Sequence, residues 1–258
     1  MLAAPASGTL PWGRLEGVPL LVHSLFDGLA LVVALAMFRW VPIATPGARG
    51  ETWRSQPYYL AAASFGVTSG AYLAGSANLW LTGIDGLARS IEGALAGGIL
   101  AVEVLKALTG IRGSTGLRFV APLAAAIAVG RIGCFLAGLE DMTYGTPTAL
   151  PWGVDFGDGV PRHPVQLYES AAMAIFVVAF LWAVRRGNVF MLRAGFYLFI
   201  GVYAGQRFLW EFLKPYGTMI GPFNLFHLLS AALVLYAVVF ARREMLCTTS
   251  QSSAPLRA

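Results

Sequence analysis

Four arginines, two histidines and several carboxylates stand where apolar sequence should exclude them. Tyr203, Arg207 and Glu211 are spaced by four and four, which puts them on one stripe of a helix. Arg131 interrupts an otherwise apolar run, between Gly130 and Gly133. Arg89 and Glu92 lie one turn apart, and His23 and Asp27 share a face four apart. Arg162, His163 and Glu169 sit at the start of another apolar run. In a bilayer an ionisable side chain costs several kcal/mol unless it is paired or reaches water, so each marks a functional position by default. Two explanations stand. The charges are internal salt bridges that fix helix packing, with Arg207–Glu211 and Arg89–Glu92 as candidate pairs. Alternatively they line one polar cavity, which explains better why they share a depth.

The elements that must hold these charges are membrane spans. The chain has 258 residues, of which 57% are hydrophobic and only 12% charged. Its mean hydropathy is +0.67. A soluble chain of this length needs more charge to cover its surface. Apolar runs of about 20 residues, enough to cross a bilayer, recur from end to end. The expected fold is all-α: a polytopic membrane protein with about seven transmembrane helices, at roughly 18–38, 57–81, 87–108, 117–138, 167–185, 192–213 and 222–243. Ser76-Ala77-Asn78 and Gly83-Ile84-Asp85-Gly86 supply turn chemistry between the second and third. A long extracytoplasmic loop, about 139–166, separates spans four and five; it is rich in Gly, Pro, Asp and aromatics, and Trp152 suits a lipid–water boundary. Residues 1–258 are expected to form a single integral membrane domain with a cytoplasmic tail at about 244–258.

Charge asymmetry sets the direction. Arg39, Arg49, Arg54, Lys106, Arg112, Arg118, Arg185, Arg186, Arg193, Arg242, Arg243 and Arg257 all fall on one side of a seven-span chain, and they are two-thirds of its 18 Lys and Arg. Asp85, Glu140, Asp141, Asp155 and Asp158 fall on the other, with Arg14, Arg162 and Lys214. The positive-inside rule then puts the N-terminus outside and the C-terminus in the cytoplasm. Counting 1.5 Å per residue from Arg118 raises Arg131 about 20 Å, past the midplane. His23, Asp27, Arg89, Glu92, Tyr203, Arg207 and Glu211 fall in the same outer half, and Glu103 alone in the inner half.

Composition also excludes classes of function. A net charge of +5 spread through short loops is an orientation signal rather than a nucleic-acid surface, so no nucleic acid is expected as a partner. Cys134 and Cys247 are far apart and outside any metal-ligand spacing, so neither a disulfide nor a metal site is expected. Cys134 reads as a small packing residue, and His227 as structural. Met1 to Glu16 has no basic n-region and predicts no cleavable signal. Gly93 and Gly97 make a G-x-x-x-G, the pattern of close helix contact. The Gly-Arg-Ile-Gly stretch lacks the Lys and spacing of a phosphate loop.

Three segments together resemble a family. They are Gly130-Arg-Ile-Gly-Cys-Phe-Leu-Ala-Gly138, then Tyr144-Gly-Thr-Pro-Thr-Ala-Leu-Pro-Trp-Gly-Val154 running on to Arg162-His-Pro-Val-Gln-Leu-Tyr-Glu169, and Tyr203-Ala-Gly-Gln-Arg-Phe-Leu-Trp-Glu211. Their order and spacing resemble the prolipoprotein diacylglyceryl transferases of bacterial inner membranes, over roughly residues 87 to 240. That family moves a diacylglyceryl group from phosphatidylglycerol to the thiol of a lipobox cysteine, and glycerol phosphate leaves. The resemblance implies a multi-pass plasma-membrane enzyme with phosphatidylglycerol and a prolipoprotein lipobox peptide as partners within membrane lipid, and no cofactor. It implies that Arg131 binds the phospholipid headgroup and that Arg207 is the second functional arginine, with Tyr203 and Glu211 as its partners. His163 and Gln166 match the motif at the site mouth, beside Arg162, Tyr168 and Glu169. Gly138 and Gly145 match glycines of the loop region.

The resemblance also has gaps. Glu92-Gly93-Ala94 stands where the family has His-Gly-Gly, so Glu92 or His163 would have to handle the proton. Cys134 replaces the Asn of a Gly-Asn-Phe, the family's next acid is shifted to Glu140, and Leu25-Phe26 stand where a Tyr is expected. These differences fit either a divergent enzyme or a paralogue that binds phospholipid without catalysis or takes another lipid. A small-solute transporter is the third reading; the nearly bare inner half and the absence of paired half-sequence repeats weigh against it.

Overall fold

A computed structural model describes residues 18–41, 43 and 57–252. The stretch Met1 to Glu16, and Arg14, Arg49, Arg54 and Arg257 of the charge count, lie outside the described residues. The chain is mostly helical: α1 (Val18–Trp40), α2 (Pro57–Leu81), α3 (Ile91–Thr109), α4 (Val120–Ala137), α5 (Val165–Arg185), α6 (Val189–Glu211) and α7 (Leu225–Ser252). Among the described residues, five stretches are long and apolar enough to cross a membrane: Leu21–Trp40, Leu117–Asp141, Val165–Arg185, Val189–Glu211 and Leu225–Leu246. The other two helices are diluted by polar residues. α2 carries Ser64, Thr68, Ser69, Ser76 and Asn78, and α3 carries Glu92, Glu103 and Lys106.

Several boundaries differ from expectation for local reasons. Ser76 and Asn78 are buried inside α2 rather than in a turn, and the chain reverses at Gly83, whose φ of 81° suits glycine. Arg89 precedes α3 instead of lying within it, because the Ser90 side chain accepts the Gly93 N–H and caps the helix there. α7 runs on to Ser252, so part of the expected tail is helical.

The chain divides into two compact units. The first holds α1, α4, α5, the segment between α4 and α5, and residues 209–215. α1 lies on α4 so closely that a Cβ on Gly133 would sit 2.3 Å from Phe26 Cβ. Ser170 on α5 donates to the Ala128 carbonyl of α4 at 2.7 Å. Between α4 and α5, a 3-10 turn over Gly138–Asp141 leads to a short antiparallel hairpin of β1 (Val154–Asp155) and β2 (Pro161–Arg162).

The second unit holds α2, α3, α6 through Phe208, and α7. Its α2 and α3 touch backbone to backbone. A Cβ on Gly70 would lie 2.3 Å from the Gly93 carbonyl oxygen, and one on Gly97 only 2.2 Å from that of Gly66. This is the close approach that Gly93 and Gly97 predict, and glycine permits it because no side chain intervenes. Large apolar side chains remain on the outer helix faces, including Leu25, Phe65, Leu73, Leu100, Ile175, Val178, Trp182 and Leu235. Exposed apolar surface on this scale suits lipid rather than water.

Candidate functional site

The first unit gathers charge around Glu169. This carboxylate lies in the second turn of α5 and is 1% exposed. Arg131, from the last two turns of α4, places Nε 2.5 Å from Glu169 Oε2. Lys214 donates from Nζ to Glu169 Oε1 at 2.9 Å. Lys214 reaches inward because the chain turns tightly after α6, where the Leu213 and Lys214 N–H groups donate to the Trp210 and Glu211 carbonyls. Both cations are almost fully buried. Two cations share one carboxylate. Buried positive charge of this kind costs desolvation energy and attracts an anion.

Beside this triad, Gln166 is fully buried, and neither end of its amide is hydrogen-bonded among the described residues. His163 and Tyr168 stand at the start of α5. Trp152 Nε1 donates to the Tyr168 hydroxyl at 2.8 Å, His163 Nδ1 lies 3.4 Å from the same oxygen, and the Tyr168 ring packs at a tilt against Trp210, centroids 5.2 Å apart. Gly145 positions His163: its N–H donates to the His163 carbonyl at 3.1 Å, and a Cβ there would sit 2.3 Å from that oxygen. Gly138 has a backbone role. It ends α4 at a φ of 69°, with its N–H donating to the Phe135 carbonyl. Arg162 is held by the Asp158 carboxylate and lies 5.1 Å over the Tyr144 ring. The guanidinium keeps the Asp158 carboxyl below its usual range. Glu211, the last residue of α6, is buried.

The second unit gathers charge around Glu92, in the first turn of α3. Arg207 Nε lies 3.5 Å from Glu92 Oε2, and Ser230 of α7 donates to Glu92 Oε1 at 2.6 Å. The Arg207 guanidinium also lies 5.2 Å over the Phe226 ring. Tyr203, one turn before Arg207 on α6, is buried. His227 lies in the first turn of α7 and is buried. Asn224 Oδ1 accepts the His227 N–H at 3.2 Å and caps α7, while the imidazole packs edge-on against Phe208 and Phe223. Glu103 accepts from Lys106 at 2.9 Å and from the Tyr236 hydroxyl at 3.2 Å.

The structure thus brings Arg131 together with Glu169 in one unit, and Arg207 with Glu92 in the other. Sequence reasoning offered neither partner. It counted Lys214 only as a loop charge, since a lysine just past a helix gives no sign that it turns inward. It named His23, Cys134 and Asp141 separately and did not bring them together; their side chains meet although 111 residues separate the first two.

The prolipoprotein diacylglyceryl transferase family model matches residues 24–243, and the chain belongs to that family. Its relatives include three proteins named phosphatidylglycerol–prolipoprotein diacylglyceryl transferase. The one from Geobacter sulfurreducens is 38% identical over 131 residues, 46% of this chain and 48% of that protein. The one from Cupriavidus pinatubonensis is 40% identical over 109 residues, 40% of this chain and 37% of that protein. The one from Nitratidesulfovibrio vulgaris is 37% identical over 134 residues, 48% of this chain and 49% of that protein. The matched stretch therefore spans half or less of each of these relatives. No solved structure matches the chain.

Proposed function

We propose that the protein transfers the diacylglyceryl group of phosphatidylglycerol to the thiol of a lipobox cysteine. The lipobox sulfur forms a bond to the glyceryl carbon, the C–O bond to phosphate breaks, and glycerol phosphate departs. The thiol proton passes to a base. The observation that carries the reading is the buried Arg131–Glu169–Lys214 triad, two fixed cations on one carboxylate. A phosphodiester anion becomes a phosphate monoester as the bond breaks, so negative charge grows. Fixed guanidinium and ammonium groups in a water-poor site stabilise such charge. In this reading Arg131 takes the headgroup phosphate, and Gln166 offers an amide to the headgroup. Arg207, with Tyr203 one turn before it, takes leaving-group charge, and Glu211 is read as a further substrate-binding residue. Arg162, Tyr168, Gly138 and Gly145 shape the mouth.

We further read α2 and α3 as spans, which makes seven. Their glycine contact and the exposed Phe65, Leu73 and Leu100 support that reading. The N-terminus is then outside, the C-terminus cytoplasmic, and the site lies in the outer half of a bacterial plasma membrane. The charge asymmetry of the loops supports this direction.

For the proton, His163 is favoured over Glu92. His163 is partly exposed and bonded only weakly to Tyr168, at 3.4 Å, whereas Glu92 is engaged by Arg207 and Ser230. That engagement is also what favours the second reading, a phospholipid-binding paralogue without catalysis. The test is incubation of the purified protein with phosphatidylglycerol and a lipobox peptide. Transfer by the parent and by Glu92→Gln, with none by His163→Ala, supports the assignment. Loss in Glu92→Gln with retention in His163→Ala reverses it, and no transfer by the parent favours the paralogue.

A further inference from the structure

His23 on α1, Cys134 near the end of α4 and Asp141 in the following 3-10 turn direct their donor atoms at one another. All three atoms lie within 4.8 Å. His23 Nε2 is 3.6 Å from Cys134 Sγ and 3.0 Å from Asp141 Oδ1. Ligands about 2.0 to 2.3 Å from a tetrahedral zinc ion are themselves roughly 3.3 to 3.6 Å apart, so this spacing is near that of ligands around one ion.

The surroundings also suit a metal. His23 Nδ1 faces Asp27 Oδ2 at 3.3 Å; an Nδ1 proton directed at that carboxylate would leave the Nε2 lone pair for an ion shared with the other two ligands. The Thr143 hydroxyl donates to the second oxygen of Asp141 and orients that carboxylate. Arg131 Nη1 donates to Cys134 Sγ at 3.7 Å and fixes the direction of that side chain, while Glu169 pairs with the arginine. A thiolate, an imidazole and a carboxylate are the ligand types of Zn²⁺ and similar thiophilic divalent ions. We propose that His23, Cys134 and Asp141 bind one such ion, with the fourth position left to water. The ion would tie α1 to the end of α4 and to the loop that follows. This proposal rests on the geometry of those side chains and stands apart from the transferase reading.

The experiment uses the full chain in detergent with Cys247→Ser, so that Cys134 is the single thiol. Cobalt(II) titration is expected to raise a thiolate-to-cobalt band in the near ultraviolet at one ion per chain, which zinc displaces. Cys134→Ser and His23→Ala should abolish the band, and Asp27→Asn should weaken binding about 10- to 100-fold. No band, or a band that survives both substitutions, overturns the proposal and indicates an adventitious ion only. Should either variant lose its helical circular dichroism, the alkylation rate of Cys134 in the folded Cys247→Ser protein decides instead. Zinc should slow it at least tenfold and a chelator restore it, and an unchanged rate overturns the proposal.

Discussion

Arg131 and Lys214 both face Glu169, and they are expected to differ in function. Arginine presents a planar fork that can engage a phosphate with two parallel donors, whereas lysine acts as a point charge. Arg131→Ala should therefore lower the transfer rate about 100- to 1,000-fold, the scale of losing one fixed charge-stabilising donor. Arg131→Lys should restore only a fraction of it. Lys214→Met removes one of the two cations that face Glu169. It should reduce kcat/KM for phosphatidylglycerol about tenfold or more, measured against lipid mole fraction in mixed micelles. A Lys214→Met protein with unaltered kcat/KM would mean that the lysine serves the fold and not the lipid. Mouth residues should act more mildly. Gly145→Ala pushes a Cβ toward the His163 carbonyl and should lower the rate while leaving the helical content intact.

Glycine contact makes α2 and α3 a pair, and the same geometry predicts where a methyl group is tolerated. Gly97→Ala places a Cβ 2.2 Å from the Gly66 carbonyl oxygen, and both backbones must move apart. A loss of about 1 to 3 kcal/mol is expected, measured by thermal unfolding in detergent. Gly28→Ala on α1 meets nothing within 4 Å and should be neutral or slightly stabilising, because alanine is the better helix former. Equal effects at the two positions would contradict the contact. Helix positions were legible in the sequence because apolar length is a strong local signal. Each of the seven expected stretches is helical, five of them long and apolar enough to cross a membrane among the described residues, and α7 alone overruns its expected end by more than a few residues. Their ends were less legible: Ser90 moved the start of α3 past Arg89, and the helical state of Ser76 to Asn78 depends on burial rather than on turn chemistry. Pairing was the least legible. Glu92 faces Arg207 and Ser230 across three helices, and Glu169 faces Arg131 and Lys214. Spacing along one helix, which suggested Arg89–Glu92, carries no information about partners contributed by another.

For the whole molecule the account predicts a direction in the membrane. A reporter fused after residue 246 should read as cytoplasmic, and a single cysteine placed at Asp158 should react with an impermeant reagent added to the outside of spheroplasts. The opposite labelling would invert the proposed topology and put the arginines in the wrong leaflet for a lipobox substrate. The most direct test of the central claim is mass spectrometry of a lipobox peptide incubated with the purified protein and phosphatidylglycerol. The account predicts a peptide heavier by one diacylglyceryl group on its cysteine, with one glycerol phosphate released per peptide and both abolished in Arg131→Ala. An unmodified peptide, or one modified equally by Arg131→Ala, would contradict it.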